Sequence, residues 1–538
     1  MRWTLPPSNW RFLMIILLVL GIFFRFANLD QKLYWKDETF TSLRIYGYTK
    51  QEVTNEVTDG EIITKDFFQN YQKPNPEKGL FNVVKSLAVE DPKHPPLYFV
   101  MTRLWTQIFG DSVAVIRSFS AFISLLIFPS MYWLCLELFG SSFIAWIAIA
   151  LIAVSPFHIL YAQEARMYAL HTVNILLSSA VLFRAIRLNT KLSWGLYAGT
   201  ISLGLYTHTI FSLLVIAHGI YIVLNKGIRT NKIFVSYLKA SLLELLFFAP
   251  WLLLILSQLD KVQSTINWVH TITLSLDDLR IGWEVHFARI FFDINPNYEY
   301  ENTIYDNLWW TIIRVFLVLF VYSIYFLIRH SPKKTYSFIL ILIFFPALLL
   351  AVPDVIFGGI RSIQTRYSII TYLGCHLSFT YLFAQKLKIN HLNHKKNQQY
   401  LWSLLLITLI SLEVISCSLN VSQSTWWNKG VNSHNLPISN ILNQDSSLLI
   451  SECNLSSLQN WDGQFGDLIS LSYHLENQVK LQCFDNFEQI NISKIPDGFN
   501  VYFLLNPPAS LQARIKNQHQ LKLVPIDENN VSLWKLEK

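Results

Sequence analysis

"FLMIILLVLGIFF", residues 12–24, runs without a charged or hydrogen-bonding side chain, and soon after it the chain reads "YWKDETF", residues 34–40. A segment so uniformly apolar has no soluble use for its surface and belongs in hydrocarbon. Just beyond it stand two adjacent carboxylates, Asp37 and Glu38, between aromatic residues. The first stretch predicts a membrane chain, and the second asks what a pair of acids does at a membrane edge.

Composition extends the first reading to the whole chain. Of 538 residues 52% are hydrophobic, 15% aromatic and only 15% charged, and the mean hydropathy is +0.33. A soluble domain does not carry that much apolar surface, so a polytopic membrane protein is expected. The formal charge of +7 does not argue for nucleic acid, because the excess Lys and Arg lie in short loops between apolar runs, where they report orientation.

A spanning helix needs roughly 20 mostly apolar residues. Such stretches centre near 12–28, 113–136, 142–160, 168–187, 194–208, 210–225, 233–257, 308–328, 336–352, 367–385 and 401–419, or about eleven spans. The basic clusters Arg2/Arg11, Arg184/Arg187/Lys191, Lys226/Arg229/Lys232, Arg329/Lys333/Lys334 and Lys386/Lys388/Lys395/Lys396 all fall on one side, the inside, provided that Leu97 to Phe109 does not cross. That stretch is short, carries Arg103 and follows two prolines, so it reads as a helix lying in the outer interface. The first apolar run lacks a small-residue cleavage site and reads as a retained anchor. The loops 29–112, 156–168, 258–307 and 353–366 and the tail from about 420 then lie outside.

The expected fold is mainly α: a polytopic transmembrane bundle over 1–420, with interfacial helices in the first outer loop at 29–112. A small α/β or α+β domain follows over 421–538. In that tail "SSLLIS", "QVKLQCF", "FNVYFLL" and "LKLVPI" read as strands separated by Asn, Asp, Gly and Pro. Cys453 and Cys483 can pair if the tail is outside the cytoplasm; Cys135, Cys375 and Cys417 read as packing residues. The sequon at Asn454 is too common a pattern to interpret.

The chemistry-bearing motifs fall on the outer side. "DPKHPPLYF", 91–99, sets His94 ahead of a Pro-Pro pair that restricts the backbone. "SPFHILYAQEARMYAL", 155–170, gathers His158, Gln163, Glu164, Arg166 and Tyr168 where a plain turn would serve. "GGIRSIQTRYSII", 358–370, puts Arg361 and Arg366, with Tyr367 beside it, at the outer end of a late apolar run. Arginines there suggest an anion to be held. Singly, each motif is also readable as structure: a solvated acidic pair, a helix stop, an ion pair at a helix end, or arginines reaching lipid headgroups. His208 and His218 read as core or interfacial residues. Independent accidents would not all choose one face.

The order of an Asp-Glu pair after the first apolar run, then "HPPLY", "SPFHILYAQEARMY" and "QTRY", resembles the bacterial members of the GT-C glycosyltransferases. The resemblance is to the family 39 group that includes protein mannosyltransferases and the aminoarabinose transferases of lipid A. It covers about residues 10–390 and leaves the tail out. It implies a polytopic helical bundle in the bacterial inner membrane, with its site on the extracytoplasmic side. It also implies a sugar donor carried on a polyprenyl phosphate, and transfer with inversion. The first acid of the pair maps onto Asp37 as the base. The residue before the Pro-Pro pair contacts the lipid phosphate in some relatives; that position is His94 here and a lysine in others. Gln163, Glu164, Arg166 and Tyr168 are then candidates for substrate binding, and His94, Arg361, Arg366 and Tyr367 for the donor.

Chemistry supports the same roles. Attack on the anomeric carbon of a sugar phosphate needs an acceptor hydroxyl partly deprotonated, which a carboxylate does as general base. The leaving group is already an anion, so fixed positive charge on its oxygens serves better than an acid. A second carboxylate with an acid role, as in glycosidases, is not required, and Glu38 reads as a supporting or acceptor-orienting group. No metal-ligand spacing stands out, so no cofactor is assigned and a divalent metal stays open. The expected partners are the bilayer, a lipid-phosphate sugar donor and a lipid, glycan or protein acceptor. The rival class is a transporter or lipid flippase, but the chain has only 19 glycines with which to break helices, and its charges gather at outer ends rather than mid-membrane. Cysteines introduced near Gln51 and Gln459 are predicted to react with an impermeant thiol reagent from outside and one near Asn393 not to; opposite labelling at the first two overturns the topology.

Overall fold

A computed structural model describes residues 5, 8–57, 59–227, 232–294, 304–388, 396–453, 463–484, 487, 490, 495–517, 522–527 and 530–537. Asn454 and the basic residues Arg2, Arg229 and Lys395 lie outside them. The chain forms two compact units. The first comprises Met1–Leu29, Pro92–Tyr98 and Arg117–Gln423, and the second Asp30–Asp91, Phe99–Ile116 and Ser424–Lys538.

The first unit is helical. Among the described residues seven stretches are long and apolar enough to cross a membrane, and an eighth is the bent pair Ser142–Ala153 and Pro156–Ala162. Ser8–Phe26, Lys191–Leu205 and Ile369–Leu387 account for the remaining apolar stretches seen in the sequence. The second of these is only 15 residues long, and the third buries Thr371, His376, Ser378 and Thr380. Leu97–Phe109 is a helix of 13 residues, shorter than a crossing requires.

The bend of 63° follows from the sequence. Pro156, with no N–H, opens the second helix and cannot continue the ladder of the first. A break in apolar surroundings leaves carbonyls without donors, which is costly where water does not reach. Arg25 supplies the donors. Its guanidinium, 0% exposed, donates to Ala153 O at 2.6 Å, Ile152 O at 3.2 Å and Gly21 O of its own helix at 2.7 Å. Ser155 Oγ donates to Ile290 O at 2.7 Å. Beyond the second helix Gln163 turns back, its amide donating to Phe24 O at 2.7 Å and Ala27 O at 2.8 Å, so it closes the end of the first helix. Phe24, Ile159, Cys417 and Val421 form the apolar cluster beside it.

The second unit is built on a six-stranded sheet. Its strands are β1 Asp59–Ile63, β2 Ser447–Glu452, β3 Lys480–Phe484, β4 Val501–Leu505, β5 Lys522–Asp527 and β6 Asn530–Glu537, in the order β1-β3-β2-β4-β6-β5. β3, β2 and β4 are parallel and the outer pairings antiparallel. The central strands are apolar on both faces, as parallel strands under helices are; Leu448, Ile450, Tyr502 and Leu504 pack with Leu511, Ile515 and Leu536 in one core. Cys453 and Cys483 form a disulfide, while Cys135, Cys375 and Cys417 are buried thiols.

Residues 30–91 group with the tail because β1, in the first loop, pairs with β3. Lys65 Nζ also donates to Leu475 O at 2.8 Å and Gln69 Nε2 to Ser472 O at 3.0 Å.

In the first unit a Cβ on Gly21 would stand 2.4 Å from Ala153 O, whereas one on Gly199 meets nothing within 4 Å. Gly21→Ala is therefore predicted to destabilise the detergent-solubilised chain by about 1–3 kcal/mol, and Gly199→Ala to leave it unchanged or slightly firmer. Thermal unfolding reads the difference, and equal shifts overturn the close packing of the two helices.

Candidate active site

Two clusters carry the predicted residues, one in each unit. In the second unit the acidic pair opens the helix Lys36–Ile45, where carboxylates in the first turn are favoured by the helix dipole. Trp35 gives this helix no side-chain cap. The cap comes from the tail instead: Lys36 N donates to Asn432 Oδ1 at 2.9 Å, and Asn432 Nδ2 donates to Asp467 Oδ1 at 2.6 Å. Ser470 Oγ donates to Tyr34 O at 2.8 Å.

The two acids part company here. Glu38 is 0% exposed and Lys429, 1% exposed, meets its carboxylate at 2.7 Å. The same ammonium lies 5.8 Å from the centre of the Trp35 ring. Asp37, one residue earlier and so turned about 100° around the helix, is at 9% exposure. Its backbone carbonyl accepts from Thr41 Oγ1 at 3.0 Å.

In the first unit the loop through His94 is fastened by its backbone. Trp251 Nε1 donates to Pro92 O at 3.0 Å, Thr209 Oγ1 to Lys93 O at 3.3 Å, and Leu97 N to Tyr206 O at 3.1 Å. Arg166 Nη2 donates to His94 Nε2 at 3.3 Å. An imidazole nitrogen that accepts from a guanidinium carries no proton, so His94 orients Arg166 rather than adding a second charge. Ser120 Oγ donates to Arg166 O at 3.2 Å and meets Tyr98 Oη at 2.8 Å. The Tyr168 ring lies 6.0 Å from the Arg166 guanidinium and 6.2 Å from the His208 ring. The charges of Arg166 and Arg366 both bear on His208.

The two late arginines differ. Arg361 donates to Asp354 Oδ1 at 2.6 Å and Gly358 O at 2.9 Å, and it contacts His270 Nδ1. Burial, with the neighbouring Arg361 charge, holds the His270 imidazole below its ordinary range. Asp354 also accepts from Ser362 N and Ser362 Oγ, at 2.6 and 2.7 Å. Arg366 lies 6.0 Å from the Trp268 ring and 5.7 Å from that of Tyr367, an arrangement that leaves a planar fork over aromatic faces. Tyr161 Oη and Thr365 Oγ1 meet at 2.7 Å beside it.

Of the residues predicted from sequence, His94, Arg166, Tyr168, Arg366 and Tyr367 belong to this basic and aromatic cluster. Glu164, 1% exposed, gives its backbone carbonyl to Arg166 N at 2.8 Å. Gln163 closes a helix and Arg361 is committed to Asp354. Sequence reasoning read His208 as a core or interfacial residue and passed over Trp268, Lys429 and Asn432. One signal was available: Lys429 in "WWNKGVN" sits just past the last apolar run, on the side where lysine is scarce.

Residues 93–254 match the sequence family described as dolichyl-phosphate-mannose-protein mannosyltransferase. Among solved structures, ArnT from Cupriavidus metallidurans matches in two states, each covering 98% of both chains at 10% identity. The TM-score is 0.50 for the state bound to undecaprenyl phosphate and 0.51 for the apo state. An oligosaccharyltransferase of Archaeoglobus fulgidus, tethered with an acceptor peptide, has a TM-score of 0.47 and 12% identity over 87% of this chain and 64% of that one. No curated protein matches.

Arg361→Ala is predicted to cost roughly 3 kcal/mol, because it strands a buried carboxylate on Asp354. Arg366→Ala should stay within about 1 kcal/mol. Thermal unfolding in detergent separates them; equal costs would make Arg366 as structural as Arg361.

Proposed function

We propose that the chain is a membrane glycosyltransferase of the GT-C type, which moves a sugar from a polyprenyl phosphate to an acceptor hydroxyl at the outer membrane face, in one displacement that inverts the anomeric carbon. Asp37 takes the proton of the acceptor hydroxyl as that oxygen bonds to the anomeric carbon. The bond to the phosphate oxygen breaks in the same step, and polyprenyl phosphate leaves as an anion. Arg366 and Arg166 hold the donor phosphate with planar forks. Tyr168 and Tyr367 flank the arginines, and His94 keeps Arg166 oriented.

One observation carries the reading: of two adjacent acids, Glu38 is fully buried against Lys429 at 2.7 Å, while Asp37 keeps 9% exposure. A single carboxylate with a base role is what direct displacement of a phosphate needs; two with separate roles are what a glycosidase needs. Undecaprenyl phosphate bound to ArnT, which has the same fold, supports a long-chain lipid phosphate as the donor carrier. The Cys453–Cys483 disulfide supports an oxidising compartment for the tail, in line with the orientation given by the basic clusters.

Asp37→Asn keeps the size of the side chain but cannot accept the proton, so transfer should fall by roughly 10²- to 10⁴-fold while donor still binds. Glu38→Gln should lose less, since its amide oxygen still meets Lys429. The measurement is transfer from membrane-extracted lipid-linked sugars, with undecaprenyl phosphate binding read alongside. Near-normal transfer by Asp37→Asn removes the base, and a larger loss in Glu38→Gln moves that role one residue along.

A further inference from the structure

We infer that Lys429 is a positioning residue for Asp37, and that the tail segment Trp427–Asn432 sets the direction in which that carboxylate points; the inference rests on the glycosyltransferase reading above. Trp427–Asn432 is a 3₁₀ turn, so Lys429 and Asn432, three apart, lie on one face of it. From that face two contacts reach the first turn of the helix Lys36–Ile45: the Asn432 carbonyl takes the N–H of Lys36 at 2.9 Å, and the Lys429 ammonium takes the carboxylate of Glu38 at 2.7 Å. One contact falls on the residue before Asp37 and one on the residue after it.

A buried ion pair is weak evidence for stability, since an apolar pair of similar volume often serves as well. What it supplies is register. A helix held at a single point can turn about its axis, and a turn of about 20° carries a carboxylate at a radius of about 6 Å through about 2 Å. A misplacement of about 1 Å is enough to cost on the order of 100-fold in rate. Holding residues 36 and 38 at once removes that freedom. Glu38, on this account, is the handle by which the tail grips the helix, and the acceptor does not touch it. Asn432 is itself held by Asp467 at 2.6 Å, and Gly466 leaves room for Phe40, whose ring a Cβ there would meet at 2.8 Å.

The test is a cycle between the two positions, with single-turnover transfer measured from membrane-extracted lipid-linked sugars and binding measured with undecaprenyl phosphate. Lys429→Met should slow transfer about 100-fold and leave undecaprenyl phosphate binding within about two-fold. In an Asp37→Asn background the same change should cost less than about three-fold, because the group it positions is already gone. Equal losses in both backgrounds, or no loss in the first, overturn the inference and leave Asp37 as base untouched. Near-normal transfer by Asp37→Asn alone overturns the base itself and the inference with it. Should Lys429→Met fail to fold, Glu38→Gln with Lys429→Met removes the unpaired buried charge. Amide exchange across Trp35–Thr41 is then expected to speed up, with β2 and β4 still protected, and unchanged exchange at Trp35–Thr41 overturns the grip.

Discussion

The buried pair between Glu38 and Lys429 is the constraint on which the acidic motif depends. Two unit charges taken out of water attract strongly only when close and well oriented, and at 2.7 Å with both side chains essentially unexposed they fix each other's place. The pair joins residues 391 positions apart, so the helix that opens with the motif takes its setting from the tail. That helix has no cap of its own, and the tail supplies one through Asn432. The sheet that gathers β1 with the tail strands, and the disulfide at Cys453 and Cys483, keep the same unit together.

The first unit solves a different problem by the same means. Bending a helix in apolar surroundings leaves carbonyls without donors, and Arg25 answers at Gly21, Ile152 and Ala153. The loop before the Pro-Pro pair is tied down by Trp251, Thr209 and Tyr206. In each case a polar side chain or backbone group stands where the ladder cannot continue. Arg25 and Arg361 fill defects or ion pairs, while Arg166 and Arg366 sit beside aromatic rings and Arg166 also meets a histidine.

Hydropathy located the long apolar helices of the first unit, because their runs are long, but not Leu259–Thr271 and Leu276–Ala288, which are mixed in character and fall in a stretch read as a loop. The Cys453–Cys483 pair was legible because only those two cysteines lie outside apolar runs. The Asp-Glu motif was legible as chemistry but not as geometry. Nothing local to residues 34–40 says that Glu38 faces inward, since its partner comes from the other end of the chain. For Arg361 the signal was closer: Asp354, an acid at the end of an apolar helix, needs a cation and finds one seven residues on. Gln163 looked like a binding residue because its neighbours were, yet an amide next to a helix end commonly serves as its cap. β1 escaped notice because "DGEII" is too short to read as a strand without its partner.

The central claim is that one carboxylate, Asp37, drives a direct displacement while the other is held by Lys429. Its most direct test is the anomeric configuration of the product, read by nuclear magnetic resonance after transfer by the purified chain from a polyprenyl-phosphate sugar of known anomer. The account predicts inversion, since a single base activating the acceptor attacks from the face opposite the phosphate. Retention would require a second carboxylate as nucleophile and a covalent intermediate, and would contradict it.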